Sequence, residues 1–335
     1  MAIPISILIP ARNEAKGIKK TLDSLDNLKY PKENLQILIA NDNSTDNTLE
    51  LLIEFARGKS HVSIINIPEK KENEILDGKT RVLAILAQKA FGKYLFFTDA
   101  DIELPANWIT GMLSELEIDI PNRNKKQIGV LVGVTGMKKN TMLSVMQALE
   151  WLIVLTACKS LSDRNIPTTG MGNNMAVLTE AYKSTGGYEK IGFSLVEDYA
   201  LYKEIIKKGY DFRQVFNSDV LAFTVPPEKY FEQRNRWIKG AITSNTIPLF
   251  LGIVQALTIP IYLIFSYFSL WASISLFLFN FCTYIYLAYK FERKLKLSGY
   301  LKYVPLFSLY LPIAWLLQLL HYGFTKKVNW KGRTY

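Results

Sequence analysis

The first hundred residues alternate short apolar runs with longer segments of helical periodicity. An apolar run of about four to eight residues indicates a buried strand, and apolar positions three and four apart indicate a helix. Strands that alternate with helices are typical of a parallel sheet with crossover helices, so this region is predicted to be α/β. The pattern predicts strands at 5–9, 35–40, 62–67 and 94–98, and helices at 15–28, 45–57 and 78–91.

A different pattern follows Lys239, because residues 240–289 contain no Asp, Glu, Lys or Arg. A helix needs about 20 residues to cross the hydrocarbon core of a bilayer, so this run is long enough for two crossings. A third apolar segment follows, which either crosses fully or is broken by Pro305 and Pro312 into a re-entrant or interfacial element. The predicted apolar segments are 247–266, 268–289 and 304–320.

The apolar stretch Met142–Cys158 carries Glu150 and is short for a crossing, so we predict a core or interfacial helix there. The chain is accordingly divided into an α/β domain, a short amphipathic segment and a membrane region with a basic tail. These parts are expected at 1–228, 229–245 and 246–335.

Charge supports the membrane interpretation. Nine basic residues and the single acid Glu292 follow residue 289, so this part carries +8 of the net charge of +10. Basic residues that flank apolar helices anchor them on the cytoplasmic side. We therefore predict an integral, multi-pass membrane protein with a cytoplasmic N-terminal domain and no nucleic-acid partner. A third full crossing would place Lys326 and Lys327 outside, which leaves the number of crossings open.

The few cysteines and histidines limit the kinds of metal site and catalytic group that we expect. Cys158 and Cys282 are far apart in sequence, which predicts neither a disulfide framework nor a thiolate metal site. His61 and His321 are the two histidines, so a histidine zinc site is not expected. The first predicted strand is not preceded by a basic segment and a long apolar segment, as a signal peptide would require. Catalysis is therefore expected to depend on carboxylates, in a domain that is not exported.

Polar residues follow three of the four predicted strands. In parallel sheets the ligand lies outside the carboxyl ends of the strands, so these residues are expected to converge on it. Asp99 and Asp101 follow the apolar run 94–98, and a hard divalent cation bound by such carboxylates usually completes its shell with substrate phosphates. The expected ligand is a metal-diphosphate, although a solvated acidic turn has the same sequence. No Gly-X-Gly-X-X-Gly follows the first strand, which disfavours a dinucleotide dehydrogenase.

Eight short motifs occur in order along the chain: 9–14 (IPARNE), Asp42 with 44–46 (STD), 78–84 (GKTRVLA), 99–101 (DAD), 172–176 (GNNMA), 186–188 (GGY), 197–198 (ED) and 233–237 (QRNRW). With these motifs the chain resembles the family 2 glycosyltransferases of the GT-A fold over nearly its whole length. It departs from the family at 41–43 (NDN), where a second Asp and a Gly are more frequent. The resemblance implies a Rossmann-like, doubly wound sheet followed by C-terminal transmembrane helices.

The resemblance also implies roles for individual residues. Asp42 would accept a hydrogen bond from uracil, although it could also be a simple turn residue. Lys79 would contact phosphate or project into water. Asp99 and Asp101 would bind Mg²⁺ or Mn²⁺, and the cation would neutralise the leaving diphosphate. The implied nucleotide-sugar-binding residues are Pro10, Arg12, Asn13, Glu14, Asp42, Lys79, Asp99, Asn173 and Asn174.

Inversion at the anomeric carbon requires a base that takes the proton of the acceptor hydroxyl. The resemblance implies that Asp198, beside Glu197, is this base. The alternative is that the acid pair complements the dipole of a helix predicted to end near Lys208. Both residues open that helix.

The 233–237 segment has two interpretations. Gln233, Arg236 and Trp237 complete the implied catalytic set: the guanidinium would stabilise the departing diphosphate, and the indole would stack under an acceptor sugar or lipid head. The other is a basic interfacial helix whose Arg234, Arg236 and Lys239 bind lipid phosphates and whose Trp237 anchors at the interface. The two interpretations are compatible.

The sequence thus predicts an inverting, metal-dependent glycosyltransferase. It would move a sugar from a nucleotide-sugar, with a UDP-sugar favoured, to a lipid or lipid-linked hydroxyl at the cytoplasmic membrane face. The C-terminal 329–335 resembles an ending of ceramide-glucosyltransferase-like members, which favours a lipid acceptor. A processive polysaccharide synthase is the second interpretation, because 233–237 also resembles hyaluronan- and cellulose-synthase-like enzymes. A non-catalytic membrane scaffold is the third.

Overall fold

The computed structural model divides the chain into two compact units, Met1–Thr135 with Ser162–Thr224, and Gly136–Leu161 with Val225–Tyr335. The division predicted from sequence did not anticipate that 136–161 groups with the C-terminal part. The structure describes residues 2–70, 74–118, 126–227, 229–244, 247–324, 329–330 and 333–334, with backbone alone at 241, 243–244, 247–249, 329–330 and 333–334. The predicted boundary residues 228 and 245, and the basic residues Lys326, Lys327 and Lys331, lie outside the described residues.

The first unit contains a seven-stranded sheet. Its strands are β1 (Ile5–Ala11), β2 (Leu35–Asn41), β3 (Val62–Asn66), β4 (Tyr94–Phe97), β5 (Ile128–Val132), β7 (Met175–Leu178) and β8 (Asp211–Gln214). They lie in the order β3-β2-β1-β4-β7-β5-β8. Strands β1 to β4 are parallel, as predicted, but β7 runs antiparallel to both β4 and β5, which makes the sheet mixed. A separate two-stranded sheet pairs β6 (Val134–Met137) with β9 (Leu221–Thr224).

The central strands are buried because helices cover the sheet. Continuous apolar sequence is what such strands require, and Ile5, Ile7 and Leu8 of β1 have no exposed surface. Strand β1 extends to Ala11, two residues beyond the prediction, and Pro10 lies within it. Register pairs Pro10 with Ala40, so β1 and β2 end at the same level of the sheet.

Crossover helices pack on this sheet. The helices of the first unit are α1 (Ile18–Asp26), α2 (Thr48–Ala56), α3 (Gly78–Lys89), α4 (Trp108–Leu113), α6 (Thr179–Ser184), α7 (Gly187–Ile191) and α8 (Glu197–Lys207). Helix α2 packs on β2 and β3, α3 on β1 and β2, and α8 on β5. The N-termini of α3 and α8 thus belong to the same unit as the carboxyl ends of β1, β2 and β4.

Asn174 connects three parts of the first unit. It is fully buried; its Oδ1 accepts a hydrogen bond from Trp108 Nε1 at 2.8 Å, and its Nδ2 donates to the carbonyl oxygens of Val134 and Val220, each at 2.9 Å. Its amide group is therefore used within the protein. The side chain of Asn174 serves the fold, and we do not include it in the proposed donor-binding set.

Replacing Asn174 by alanine should destabilise the first unit. The change leaves one buried donor and two buried acceptors without their partner, and each such group costs about 1–3 kcal/mol. We expect a clear fall in the thermal midpoint of the purified protein. Asn173→Ala, which removes one partly exposed contact with Thr135 at 3.2 Å, is the matched control. Equal midpoints for the two variants would contradict this role.

The described part of the second unit contains one α-helix from the middle of the chain and four from its C-terminal part. They are α5 (Met142–Ser162), α9 (Tyr230–Ser244), α10 (Ile247–Phe268), α11 (Leu270–Leu295) and α12 (Val304–Phe324). Helix α10 packs on α9, α11 and α12, and α12 also packs on α9. A short hairpin, β10 (Asn329–Trp330) with β11 (Arg333–Thr334), follows.

Several helices of this unit expose large apolar side chains. Leu263, Phe268 and Trp271 are 66%, 80% and 77% exposed, which is unfavourable in water and typical of surfaces that contact lipid. Within the described residues, four segments are long and apolar enough to cross a membrane: Met142–Ser162, Phe250–Phe268, Leu270–Leu295 and Leu301–Phe324. Length and composition thus indicate membrane association.

Two of these segments, α5 and α12, add to what the sequence indicated. Helix α5 is 21 residues long, enough to cross a membrane, although about two thirds of its most apolar part is buried inside the protein, as in a packed helix. Helix α12 continues through Pro312, so the proline does not break the helix, a point that the sequence left open. A proline lacks an N–H donor, but a helix can retain its course when neighbouring helices pack against it.

Candidate active site

The loops that follow β1 and β2 are joined by hydrogen bonds. Asn13 Oδ1 accepts from the backbone N–H of Thr45 at 2.8 Å, and Ser44 Oγ accepts from the N–H of Asn13 at 3.2 Å. The N–H of Glu14 donates to Thr48 Oγ1 at 2.8 Å. These contacts hold the 10–14 and 42–46 segments together at the carboxyl edge of the sheet, where the sequence predicted nucleotide contacts.

Within this pair of loops, Arg12 and Asp42 form an ion pair. Arg12 Nη1 lies 3.4 Å from Asp42 Oδ2 and 3.3 Å from the Asp42 carbonyl oxygen. The Asp42 side chain retains 10% exposure. Asn43, where the family more often has glycine, adopts a left-handed conformation with φ of 51°. Asparagine tolerates this region better than most residues, so the loop keeps the shape that glycine would allow.

Asp99 and Asp101 lie just beyond β4. Asp99 is partly exposed and Asp101 is exposed, so carboxylate oxygens are accessible at the sheet edge. Among the described residues, no group of three or more His, Cys, Asp or Glu side chains could hold a metal ion. A cation here would take one or two carboxylates and complete its shell with water and substrate phosphate, which is how Mg²⁺ is usually held. The donor set fits Mg²⁺ or Mn²⁺ on these terms.

Lys79, the second residue of α3, connects this edge with α8. Its Nζ lies 2.6 Å from Asp99 Oδ1 and 2.8 Å from Glu197 Oε1. Burial alone lowers the pKa of Lys79, but the carboxylates of Asp99 and Glu197 raise it well above its ordinary value. Lys79 therefore remains charged. It neither projects into water nor lies alone, because two acids bind it.

Asp198 is held by two backbone N–H groups at the start of α8. Its Oδ2 accepts from the N–H of Gly172 at 2.6 Å, and its Oδ1 accepts from the N–H of Tyr199 at 2.8 Å. A Cβ at residue 172 would lie 3.1 Å from Asp198 Cβ, and one at residue 170 would lie 2.6 Å from the Asp198 carbonyl oxygen. Gly170 and Gly172 therefore permit the close approach that fixes the carboxylate.

Comparison with known proteins identifies the family of the chain. The profile of Glycosyl transferase family 2 matches residues 6–122, and that of Glycosyl transferase family group 2 matches residues 94–324, which is more than half of the chain. The chain belongs to glycosyltransferase family 2. Its fold is the GT-A fold, as predicted.

Named relatives of this family-2 chain are distant. It is 26% identical over 246 residues to a probable glycosyltransferase, YdaM, of Bacillus subtilis, covering 70% of this chain and 54% of the relative. It is 24% identical over 245 residues to the beta-monoglucosyldiacylglycerol synthase of a Nostoc species, covering 70% and 48%. The poly-beta-1,6-N-acetyl-D-glucosamine synthase of Staphylococcus epidermidis is 24% identical over 244 residues, with 70% and 54% covered. The chain spans about half the length of these relatives.

A solved structure supports the fold. The mannosyltransferase PcManGT of Pyrobaculum calidifontis, in complex with GDP-Man and Mn²⁺, superposes with a TM-score of 0.55 at 16% identity, covering 92% of this chain and 88% of the neighbour. At this identity the likeness concerns the fold alone.

In this family-2 chain the pKa of Asp198 is raised to about 6. Burial raises it most and the Glu197 charge raises it further, while Lys79 and the N–H groups of Gly172 and Tyr199 act in the opposite direction. Asp198 is therefore mostly deprotonated at neutral pH. A carboxylate with a raised pKa is a stronger base than an ordinary one.

A pH dependence follows if Asp198 is the base. The base must be deprotonated, so kcat should fall as the pH drops below about 6, by about tenfold per pH unit. Glu197→Gln removes a like charge and should move this acid limb to lower pH. The measurement is kcat against pH at saturating donor for both proteins. A wild-type profile that is flat down to about pH 4 would contradict the assignment.

The 233–237 segment lies in α9 of the second unit. Trp237 stacks on Trp151 of α5, with ring centroids 5.1 Å apart. Arg234 is buried and forms an ion pair with Glu150, so it is not available for lipid phosphates as the interfacial interpretation expected. Asn235 is bound by Gln318 and His321, at 2.6 and 3.1 Å. The two residues between Gln233 and Arg236 thus fasten α9 to α5 and α12.

Sequence reasoning missed two contacts that shape the candidate site. It did not identify Gly172 as the donor to Asp198, nor Lys79 as the link between Asp99 and Glu197. The only sequence signal for the first was the glycine pair at 170 and 172 before 173–176. The contacts of Lys79 with Asp99 and Glu197 join segments that are separate in the chain, and no local sequence pattern predicts them.

Proposed function

We propose that this enzyme is an inverting glycosyltransferase that moves a sugar from a nucleotide-sugar to a lipid or lipid-linked hydroxyl. The observation that carries the proposal is the fixed carboxylate of Asp198, which two backbone N–H groups hold in the same unit as the accessible pair Asp99 and Asp101. A base for the acceptor hydroxyl and carboxylates for a cation are what the proposed inverting, metal-dependent transfer uses.

The donor side is proposed to lie along the carboxyl edge of the sheet. Arg12, Asn13 and Glu14 belong to the loop that is hydrogen-bonded to the segment after β2, and Asp42 carries the carboxylate proposed to accept from the base. Pro10 is the penultimate residue of β1 and leads into this loop. Asn173, which is partly exposed, remains a candidate for a donor contact.

Asp99 and Asp101 are the residues proposed to hold Mg²⁺ or Mn²⁺. When bound, the cation neutralises the charge of the departing diphosphate. The neighbouring mannosyltransferase structure is a complex with Mn²⁺, which supports a divalent cation. Its nucleotide-sugar is GDP-Man, whereas the motif resemblance favours a UDP-sugar. We propose UDP-sugar as the first donor to test, with GDP-mannose in the same panel.

Asp198 is proposed to take the proton of the acceptor hydroxyl as its oxygen bonds to the anomeric carbon and the bond to the diphosphate breaks. The N–H groups of Gly172 and Tyr199 orient the carboxylate for this step. Arg236 is proposed to stabilise the departing diphosphate, and Gln233 and Trp237 to contribute to the acceptor side. These last three roles rest on the family resemblance.

A lipid acceptor is favoured over a growing polymer. The exposed apolar helices suit an acceptor that stays in the bilayer, and the name of the Nostoc relative refers to a glucosyl lipid. The Staphylococcus relative is named as a polysaccharide synthase, which supports a processive synthase as the second candidate. A polymer channel needs helices that line a polar path, and α10 contains no Asp, Glu, Lys or Arg. A scaffold without turnover is disfavoured by the intact Asp99, Asp101, Asp198 and Arg236.

The size of the product tests this proposal. Purified protein should be incubated with radiolabelled UDP-sugars and GDP-mannose, a divalent cation and total lipid extract. We expect label in an organic-extractable product of low, defined mass. A water-soluble polymer that lengthens with time would establish the synthase alternative, and no incorporation from any donor would support the scaffold.

The predicted topology has its own test. The first unit and the loop between α11 and α12 are both expected to be cytoplasmic, since basic residues follow α11. Cys282 is exposed, so Lys59→Cys and Lys296→Cys are placed in a Cys282→Ser background. Neither new cysteine should react with an impermeant thiol reagent on intact cells, and both should react after permeabilisation. Labelling of either one from outside would contradict the topology.

A further inference from the structure

Lys79 is shared between two carboxylates that have different proposed tasks. Asp99 belongs to the pair proposed to hold the divalent cation, and Glu197 precedes the proposed base. The Lys79 and Asp99 side chains are 28% and 33% exposed, and that of Glu197 is 9% exposed. The ammonium group thus lies at a partly open position between β4 and α8, within reach of a cation that enters from solvent.

An ammonium group and a divalent cation would compete for the same oxygen. Asp99 Oδ1 already accepts from Lys79 at 2.6 Å, a short, charge-assisted contact. A cation that binds Asp99 must either displace Lys79 or remain beside its positive charge. Both alternatives weaken the binding of a bare cation, because like charges repel strongly where solvent screening is incomplete.

A nucleotide diphosphate changes this balance. Its negative charge offsets the repulsion between Lys79 and the cation, and its oxygens offer acceptors to the three N–H donors of a lysine. Binding of cation and nucleotide would then be mutually favourable. By thermodynamic linkage, each would raise the affinity for the other by the same factor.

We propose that Lys79 is a positioning residue that competes with the divalent cation for Asp99 and thereby makes tight cation binding depend on the nucleotide. This inference rests on the proposed function. The alternative is that the Lys79 ion pairs only hold α3, β4 and α8 together. The two roles differ in what they predict for the binding of a bare cation.

The test measures Mn²⁺ affinity by electron paramagnetic resonance on the full chain in detergent, without and with UDP. Lys79→Met should bind Mn²⁺ alone about tenfold more tightly than wild type, and UDP should increase its affinity by a smaller factor. Lys79→Arg should behave like wild type. Lys89→Met removes an exposed lysine at the other end of the same helix and should change neither value.

A second variant keeps the test decisive if Lys79→Met misfolds. Glu197→Gln removes a carboxylate from the cluster and frees Lys79 to bind Asp99 alone, so it should weaken Mn²⁺ binding. Opposite shifts in Lys79→Met and Glu197→Gln support the competition. A lower thermal midpoint in both variants with unchanged Mn²⁺ affinity would mean a structural ion pair and would overturn the inference.

The outcomes also separate this inference from the proposed function. If wild type binds Mn²⁺ with UDP but Lys79→Met binds the bare cation no more tightly, Lys79 does not compete, and the proposed function is unaffected. If neither wild type nor Lys79→Met binds Mn²⁺ under either condition, the metal assignment fails and the inference fails with it.

Discussion

Replacing Asp198 by asparagine is expected to lower kcat by about 10² to 10⁴ while donor affinity changes little. Asparagine keeps the size of the side chain, and its Oδ1 can still accept a hydrogen bond from a backbone N–H group. It cannot take the proton of the acceptor hydroxyl at neutral pH. The loss should therefore fall on the chemical step, measured as kcat at saturating donor and acceptor, with donor affinity from titration calorimetry.

The matched control is Glu204→Gln on the same helix. Glu204 pairs with Lys207 on the surface, so its loss should leave kcat within about twofold of wild type. If donor affinity collapsed in Asp198→Asn while kcat persisted, Asp198 would be a binding residue, and the base would have to be sought elsewhere.

Asp101→Asn should abolish the part of nucleotide-sugar binding that depends on a divalent cation. The side chain is exposed beyond the end of β4, so its removal disturbs no core and the thermal midpoint should stay near that of wild type. A neutral amide is a weaker ligand than a carboxylate for a hard cation. Donor affinity measured with and without Mn²⁺ should become equal in this variant.

Glu117→Gln, which changes another exposed acid of the same unit, is the control for a general effect of charge. It should retain the full response to Mn²⁺. Turnover by Asp101→Asn that still depended on the metal to the wild-type extent would remove Asp101 from the cation site.

Much of the first unit could be predicted from local pattern. Strands β1 to β4 are continuous apolar runs separated by helical segments, and a parallel arrangement follows from such alternation. The reversed direction of β7 could not be predicted in this way. Its four residues, Met175–Leu178, are apolar on both faces, as a central strand of either direction would be.

The candidate residues could be recognised in the sequence where they follow a strand or open a helix. Asp99 and Asp101 lie just beyond β4, and the acid pair Glu197 and Asp198 opens α8. Contacts between distant segments were not predictable. The bond from Gly172 to Asp198 joins the segment before β7 to the start of α8, and Lys79 of α3 lies between acids that follow β4 and open α8.

In the second unit, composition identified apolar helices but not their polar contacts. Glu150 appeared to be an isolated acid in an apolar stretch, yet it is buried with Arg234 and also accepts from Trp315 Nε1 at 2.7 Å. A buried charge persists when it is paired and hydrogen-bonded. The sequence shows both charged residues, Glu150 and Arg234, but it does not indicate that residues 84 positions apart form a pair.

The configuration of the newly formed glycosidic bond tests the central claim most directly. A single displacement, with Asp198 as base, inverts the anomeric centre. Lipid product made by the purified protein from an α-linked UDP-sugar should therefore carry a β-linkage, seen by NMR as a large coupling between the first two sugar protons when the sugar has the gluco configuration. An α-linked product would contradict the account, because retention cannot arise from one in-line displacement assisted by a base.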